Sequence, residues 1–305
     1  MTTNKIIDFS TGASSRGSHQ LGAALSCERL WALRYHQRLR PITNKPWQLL
    51  GTLIHTCLAH YFASLMDEPP QWSLDETMDE NLEREGEGNP EMIRQAKDCF
   101  EAFKSRYAGD SWVPLYVENE FKATIGSFFK NEELPEWIEP VKDEVVTCKT
   151  DLVCEWGGRV WVVDHKTSSG SGRTGRLNSW GNGSEYTMSP QVFQNLWIIR
   201  SCIDRPVAGF AIQRLKRSTP YDFDRQTLQL SPLAYEQARY MIADAALREK
   251  NIVERIAQGE KPRPNYNQCY SRWGPCDFFD VCSADTKEIQ GSLLSNEYVQ
   301  LGGNR

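Results

Sequence analysis

The chain has 305 residues, 40% of them hydrophobic, and a formal net charge of -5. That composition supplies one large core and excludes a small disulfide-stapled scaffold, while the acidic balance excludes a domain coated in nucleic acid over its whole surface. No apolar run approaches the roughly 20 residues of a membrane-spanning helix, the start MTTNKIIDFS lacks the parts of a secretory signal, and nine cysteines in such a chain point to reduced thiols or metal ligands in the cytoplasm.

In chain order, the spacing of Leu25, Leu30, Leu33 and Tyr35 predicts a helix over Leu21 to Arg38, and Leu49 to Leu65 reads as a second apolar helix that carries His55. A third helix is expected over Glu91 to Tyr107. The period then changes: Leu115 to Ile125, Val145 to Glu155 and Val160 to Asp164 are rich in β-branched and aromatic residues, with Gly157-Gly158 as a hairpin turn, and predict three strands of one sheet. Pro190 to Cys202 reads as a helix and Val207 to Lys216 as a strand. Ser231 and Pro232 provide an N-cap and a first-turn proline for a helix ending near Ala257, before Gly259 and a cysteine-rich tail. The expected architecture is α/β, one domain over residues 1–305, with a helical part (1–110), a central sheet and helix (111–217) and a C-terminal helix and tail (218–305).

Charge is unevenly spread. Met66 to Glu101 holds twelve acidic residues against Arg84, Arg94 and Lys97, whereas Arg16 to Lys45 holds Arg16, Arg29, Arg34, Arg38, Arg40 and Lys45 against Glu28 alone. Arg214, Lys216 and Arg217 form a second basic cluster, and the Ser- and Gly-rich stretch Ser168 to Gly183, with Arg173 and Arg176, reads as a basic loop suited to phosphates.

The chemistry concentrates in Thr150-Asp151-Leu152-Val153 and, after the turn, Trp161-Val162-Val163-Asp164-His165-Lys166-Thr167. An apolar run that stops abruptly at Asp, His and Lys is how a buried strand delivers a site to its end. On paired strands Asp151 and Asp164 can face one spot, with Lys166 on the same face as Asp164. Two converging aspartates make a hard oxygen site for magnesium or manganese, and an adjacent lysine can orient water and offset charge in phosphodiester hydrolysis.

The order Gly51-Thr52-Leu53-Ile54-His55, Glu118 to Phe121, Thr150-Asp151-Leu152-Val153, Val163-Asp164-His165-Lys166-Thr167 and Pro190-Gln191 resembles the RecB-like branch of the PD-(D/E)XK nucleases. The resemblance implies a central mixed β-sheet flanked by helices. It further implies that His55, Asp151, Asp164 and the backbone carbonyl of His165 are metal ligands, with Lys166 catalytic and Gln191 steadying the site or the DNA. Asn195 stands where the family often has a tyrosine, and Glu118 reads equally as a site residue or strand surface.

Cys269, Cys276 and Cys282 cluster in the tail, with Cys27 far upstream, at spacings that match neither zinc ribbons nor bacterial ferredoxins. This arrangement resembles the iron-sulfur staple of AddB-type nucleases and of CRISPR-associated RecB-like exonucleases, which implies a 4Fe-4S cluster tying the two ends of the domain together. Zinc on the same four thiolates is the alternative. Cys57, Cys99, Cys148, Cys154 and Cys202 lie among apolar residues and read as core. Without a G-x-x-x-x-G-K-[ST] loop the chain has no helicase motor, so unwinding would come from a partner. The expected function is an exonuclease acting on DNA with single-stranded character in end processing, recombination or repair, of a kind phages also encode. A DNA-binding iron-sulfur module with a vestigial nuclease centre and a structural zinc protein are the other readings. Oligomeric state is left open.

Overall fold

The computed structural model describes residues 16–42, 46–86, 88–130, 132–169, 184–271 and 274–301. The basic loop with Arg173 and Arg176 lies outside the described residues, as does Lys45.

The helix expected over Leu21 to Arg38 is broken. It forms α1 (Ser18–Ser26), then α2 (Glu28–Trp31), which continues as a wider turn over Ala32–His36, and the break falls at Cys27, whose backbone is extended at φ -158° and ψ 112°. No glycine or proline marks it. The chain instead turns so that the Cys27 Sγ accepts the Asn265 backbone N–H at 3.4 Å. After β1 (Leu39–Pro41) comes α3 (Pro46–Ser64), the apolar helix of His55. The acidic block folds into α4 (Gln71–Asp75) and α5 (Met78–Glu85), which the charge reading passed over. A capping box marks the start of α5: Thr77 accepts from the Glu80 N–H, and the Glu80 carboxylate accepts from the Thr77 N–H. Helix α6 (Pro90–Arg106) follows an Asn89 cap.

Strands β2 (Val113–Thr124), β3 (Val145–Trp156) and β4 (Arg159–Ser168) form antiparallel pairs. Next come α7 (Ser184–Thr187), α8 (Pro190–Cys202), β5 (Val207–Lys216), β6 (Phe223–Thr227) and α9 (Pro232–Ala257). Together they make an α/β fold around a mixed five-stranded sheet, order β2-β3-β4-β5-β6, in which β4 and β5 are parallel. That parallel ladder runs from Val160↔Val207 to Ser168↔Lys216, and its part beyond Asp164↔Ile212 is why β4 continues past Asp164, where its apolar run ends. The tail adds β7 (Tyr270–Ser271), β8 (Gly274–Pro275), α10 (Phe279–Ser283), α11 (Lys287–Glu297) and β9 (Tyr298–Gln300), and β9 pairs with β1 near the other end of the chain.

The sheet is apolar on both faces. Val160 and Val162 of β4 pack with Val192, Phe193 and Leu196 of α8 and with α9, while Val163 packs with Leu53 and Ile54 of α3. Alternation along the strand therefore sends Asp164 and Lys166 toward α8, and His165 and Thr167 toward α3. A buried carboxylate, Glu249 of α9, holds the N-terminal helices by accepting from Trp31 Nε1 at 2.9 Å and Arg16 Nε at 2.8 Å. Among the described residues no helix is long and apolar enough to cross a membrane.

Candidate active site

The pairing of β3 with β4 stops at Leu152↔Val163. The next two residues in line are Asp151 and Asp164, so the strands part at the two aspartates. Beyond this point the ribbon of β2 and β3 also changes faces. Val117 and Leu152 pack on the α3 side, whereas Phe121, Ala123, Val146 and Cys148 pack on the α8 side, although strict alternation would keep each strand's set together. The change falls between the registered pairs Val117↔Leu152 and Asn119↔Thr150, the interval that holds Glu118 and Asp151. Glu118 has φ 49°, a left-handed conformation that costs a non-glycine residue about 1 to 3 kcal/mol and collects at functional sites.

This local twist aims three donors at one spot: ligand atoms of His55, Glu118 and Asp151 all lie within 4.8 Å of one another. Asp151 Oδ2 is 3.7 Å from His55 Nδ1 and accepts the His165 backbone N–H at 2.6 Å, a bond that replaces the ladder lost where the strands part. Glu118 is held by Lys149 at 2.8 Å. On the α8 side, Lys166 Nζ is 2.8 Å from Asp164 Oδ2 and donates to Gln191 Oε1 at 3.4 Å, and Gln191 Nε2 donates to Asp164 Oδ1 at 3.0 Å. Gln191 stands in the first turn of α8, just after Pro190.

The electrostatics describe a crowded anionic spot. Burial pushes Asp151 up, but the charge and hydrogen bond of His55 and the His165 N–H outweigh it and hold its carboxyl below the usual range. Glu118 and Asp164 are both raised by burial and by the charge of Asp151, against the lowering pull of Lys149 and Lys166 respectively. His55 and Lys166 are each pushed down by burial and pulled up further by the surrounding carboxylates, ending above their ordinary values. An imidazole nitrogen and clustered carboxylate oxygens with surplus negative charge form a hard donor set suited to magnesium or manganese. The His165 ring differs in kind. It is 3% exposed, neither ring nitrogen has a hydrogen-bond partner among the described residues, and burial drives its pKa down to about 3.

The four tail-and-head cysteines also come together. Cys27, Cys269, Cys276 and Cys282 line one small cavity with Leu30, Phe278 and Phe279. Cys282 is pushed up by burial and further by the other three thiols, against Arg29. Among the remaining cysteines, burial pushes Cys57, Cys99 and Cys154 up to about 12, as expected for core thiols. Cys202 departs from that expectation. It is exposed at the end of α8, where its thiol donates to the Lys122 carbonyl at 3.2 Å.

Sequence reasoning left Glu118 undecided because its place depends on a left-handed backbone inside a strand, which residue type does not announce. Only the folded pairing reveals its place, in the interval between Val117↔Leu152 and Asn119↔Thr150 that also holds Asp151.

A profile of the PD-(D/E)XK nuclease superfamily matches residues 19–283, and the chain belongs to that superfamily, whose members hydrolyse phosphodiester bonds and use divalent metals. No curated protein matches the chain. Among solved structures it is similar to a crystal structure named "Putative exonuclease" from Eubacterium rectale, with a TM-score of 0.50 and 13% identity over 94% of this chain and 95% of the other, a likeness of fold.

Proposed function

We propose that the protein is a DNA exonuclease of the RecB-like branch that depends on magnesium or manganese and acts on ends with single-stranded character. The observation that carries this reading is the parting of β3 and β4 at Asp151 and Asp164, which gathers His55, Glu118 and Asp151 on one side of Lys166 and Gln191 on the other. His55, Glu118, Asp151 and Asp164 would hold the ion, with the His165 carbonyl as a further ligand. When bound, the ion supplies Lewis-acid polarisation of the phosphoryl oxygen. Lys166, fixed between Asp164 and Gln191, orients the attacking water and offsets charge that develops on the phosphate. Gln191 holds Asp164 and Lys166 in one geometry. Hydrolysis adds water across one P–O bond, and the leaving oxygen takes the proton.

Cys27, Cys269, Cys276 and Cys282 are read as ligands of a 4Fe-4S cluster, a reading supported by their convergence on one cavity. Bound there, the cluster would tie the ends of a single nuclease domain spanning the chain. Any strand separation would come from a helicase or recombination partner in the cytoplasm. The test is incubation with end-labelled linear and with circular single-stranded DNA, in manganese and in EDTA. Manganese-dependent loss of the linear substrate alone is the expected result, whereas cleavage of circles would reject exonuclease action and activity in EDTA would reject the metal.

A further inference from the structure

Helix α3 carries His55, while Asp151 and Asp164 belong to strands, so the metal group depends on how far α3 stands from β4. Two contacts fix that distance. At Gly51 the helix approaches so closely that a Cβ there would meet Thr167 Oγ1 at 3.0 Å. One strand step of side-chain alternation away, the His165 ring holds the helix off. It stacks on Phe62 at 5.6 Å between centroids and 7° between planes, and meets His55 edge to face at 6.0 Å and 81°. The ring thus touches both the metal-binding histidine and a residue two turns further along the same helix.

We propose that the His165 side chain is a positioning residue, an aromatic spacer between β4 and α3 that sets the place of His55 relative to Asp151, and that its shape performs this task without its nitrogens. The proposal rests on the metal reading above. Two observations carry it. The ring is 3% exposed and wedged between two helix residues, so its volume cannot be removed without a gap. Neither nitrogen is hydrogen-bonded to any described residue, an arrangement that normally disfavours a buried imidazole relative to a hydrocarbon ring. The same residue's backbone N–H holds Asp151 at 2.6 Å, so a shift of β4 at this point disturbs both partners at once.

The test compares His165→Ala, His165→Phe and a cavity control, Leu82→Ala, whose fully buried side chain belongs to α5 and to no part of the metal group. Manganese affinity is measured by titration calorimetry. It should fall about 10-fold or more in His165→Ala, the range for residues that orient metal ligands, stay within about threefold of wild type in His165→Phe, and be unchanged in Leu82→Ala. A second arm needs no metal: in EDTA, exchange of the His165 amide hydrogen should quicken in His165→Ala and match wild type in His165→Phe. Equal loss in the Phe and Ala variants would overturn the proposal by showing that the nitrogens act. Unaltered affinity in His165→Ala, or equal loss in Leu82→Ala, would overturn it as well. A wild-type protein that binds no manganese would instead sink the metal reading, and the exchange arm would still decide the spacer.

Discussion

The carboxylate cleft and the cysteine cavity are assembled from contacts of opposite range. His165 and Asp151, whose bond marks the cleft, are 14 residues apart, whereas Cys27 and Asn265, whose bond lines the cavity, are 238 apart. Closing the longer loop costs about 2.5 kcal/mol more in chain entropy, on the logarithmic dependence of loop closure. The cleft therefore comes with the sheet: once the hairpin of β3 and β4 forms, the aspartates stand where its ladder ends. The cavity needs further fastening between the chain ends, given by Glu249 gripping Arg16 and Trp31, by β9 pairing with β1, and by any metal the four thiolates hold. The lesson is that chemistry on adjacent strands can be lost without loss of fold, while loss of a cysteine ligand should loosen both ends.

The largest effect expected from this contrast is in the cleft. Lys166→Ala should lower cleavage by about 100-fold or more, the scale of deleting a preorganised electrostatic group, with DNA binding and melting temperature near wild type. Steady-state cleavage beside a binding titration checks this, and near-normal turnover would remove Lys166 from the mechanism. Second, Cys27→Ala or Cys282→Ala should abolish iron and visible absorbance after anaerobic purification and expose both chain ends to limited proteolysis together. Stoichiometric zinc in the wild-type protein would reject the iron-sulfur assignment and leave the cleft untouched. Third, Glu118→Gln should weaken manganese binding about 10-fold, since a charged ligand is replaced by a neutral one at a backbone position already strained. A titration that gives wild-type affinity would return Glu118 to the strand surface.

The smallest effect separates core thiols from the rest. Cys57→Ala should keep the iron and cost about 1 to 2 kcal/mol for its small cavity. Because burial lifts Cys57, Cys99 and Cys154 to about 12, these thiols stay protonated far above neutral pH; at pH 8 about one in ten thousand is a thiolate. Iodoacetamide at pH 8 should label exposed Cys202 first and leave those three unmodified in the folded protein. Early labelling of Cys57 would mean that α3 opens more readily than its packing implies.

These contrasts also explain what could be read in advance. An apolar run ending at Asp164-His165-Lys166 is a strong pattern because burial dictates the run and chemistry interrupts it, and the helices that open on a proline, α6, α8 and α9, lie close to where those prolines set them. The break at Cys27 could not be read, since its cause is a contact 238 residues away. Nor could the pairing of β9 with β1, two strands of three residues that only their partner makes strands. Helices α4 and α5 were hidden by their acidity, although the Thr77 and Glu80 capping box was there to be seen.

On the function proposed above, the parting of β3 and β4 builds one divalent-metal site from the group His55, Glu118 and Asp151 together with Asp164. Crystals soaked in manganese, with diffraction collected at a wavelength where manganese scatters anomalously, test it most directly. The expected result is an anomalous peak roughly 2.0 to 2.6 Å from the imidazole nitrogen and carboxylate oxygens of those residues, the range for hard divalent ions. Manganese bound elsewhere, or none at this group in crystals of the active protein, would contradict it.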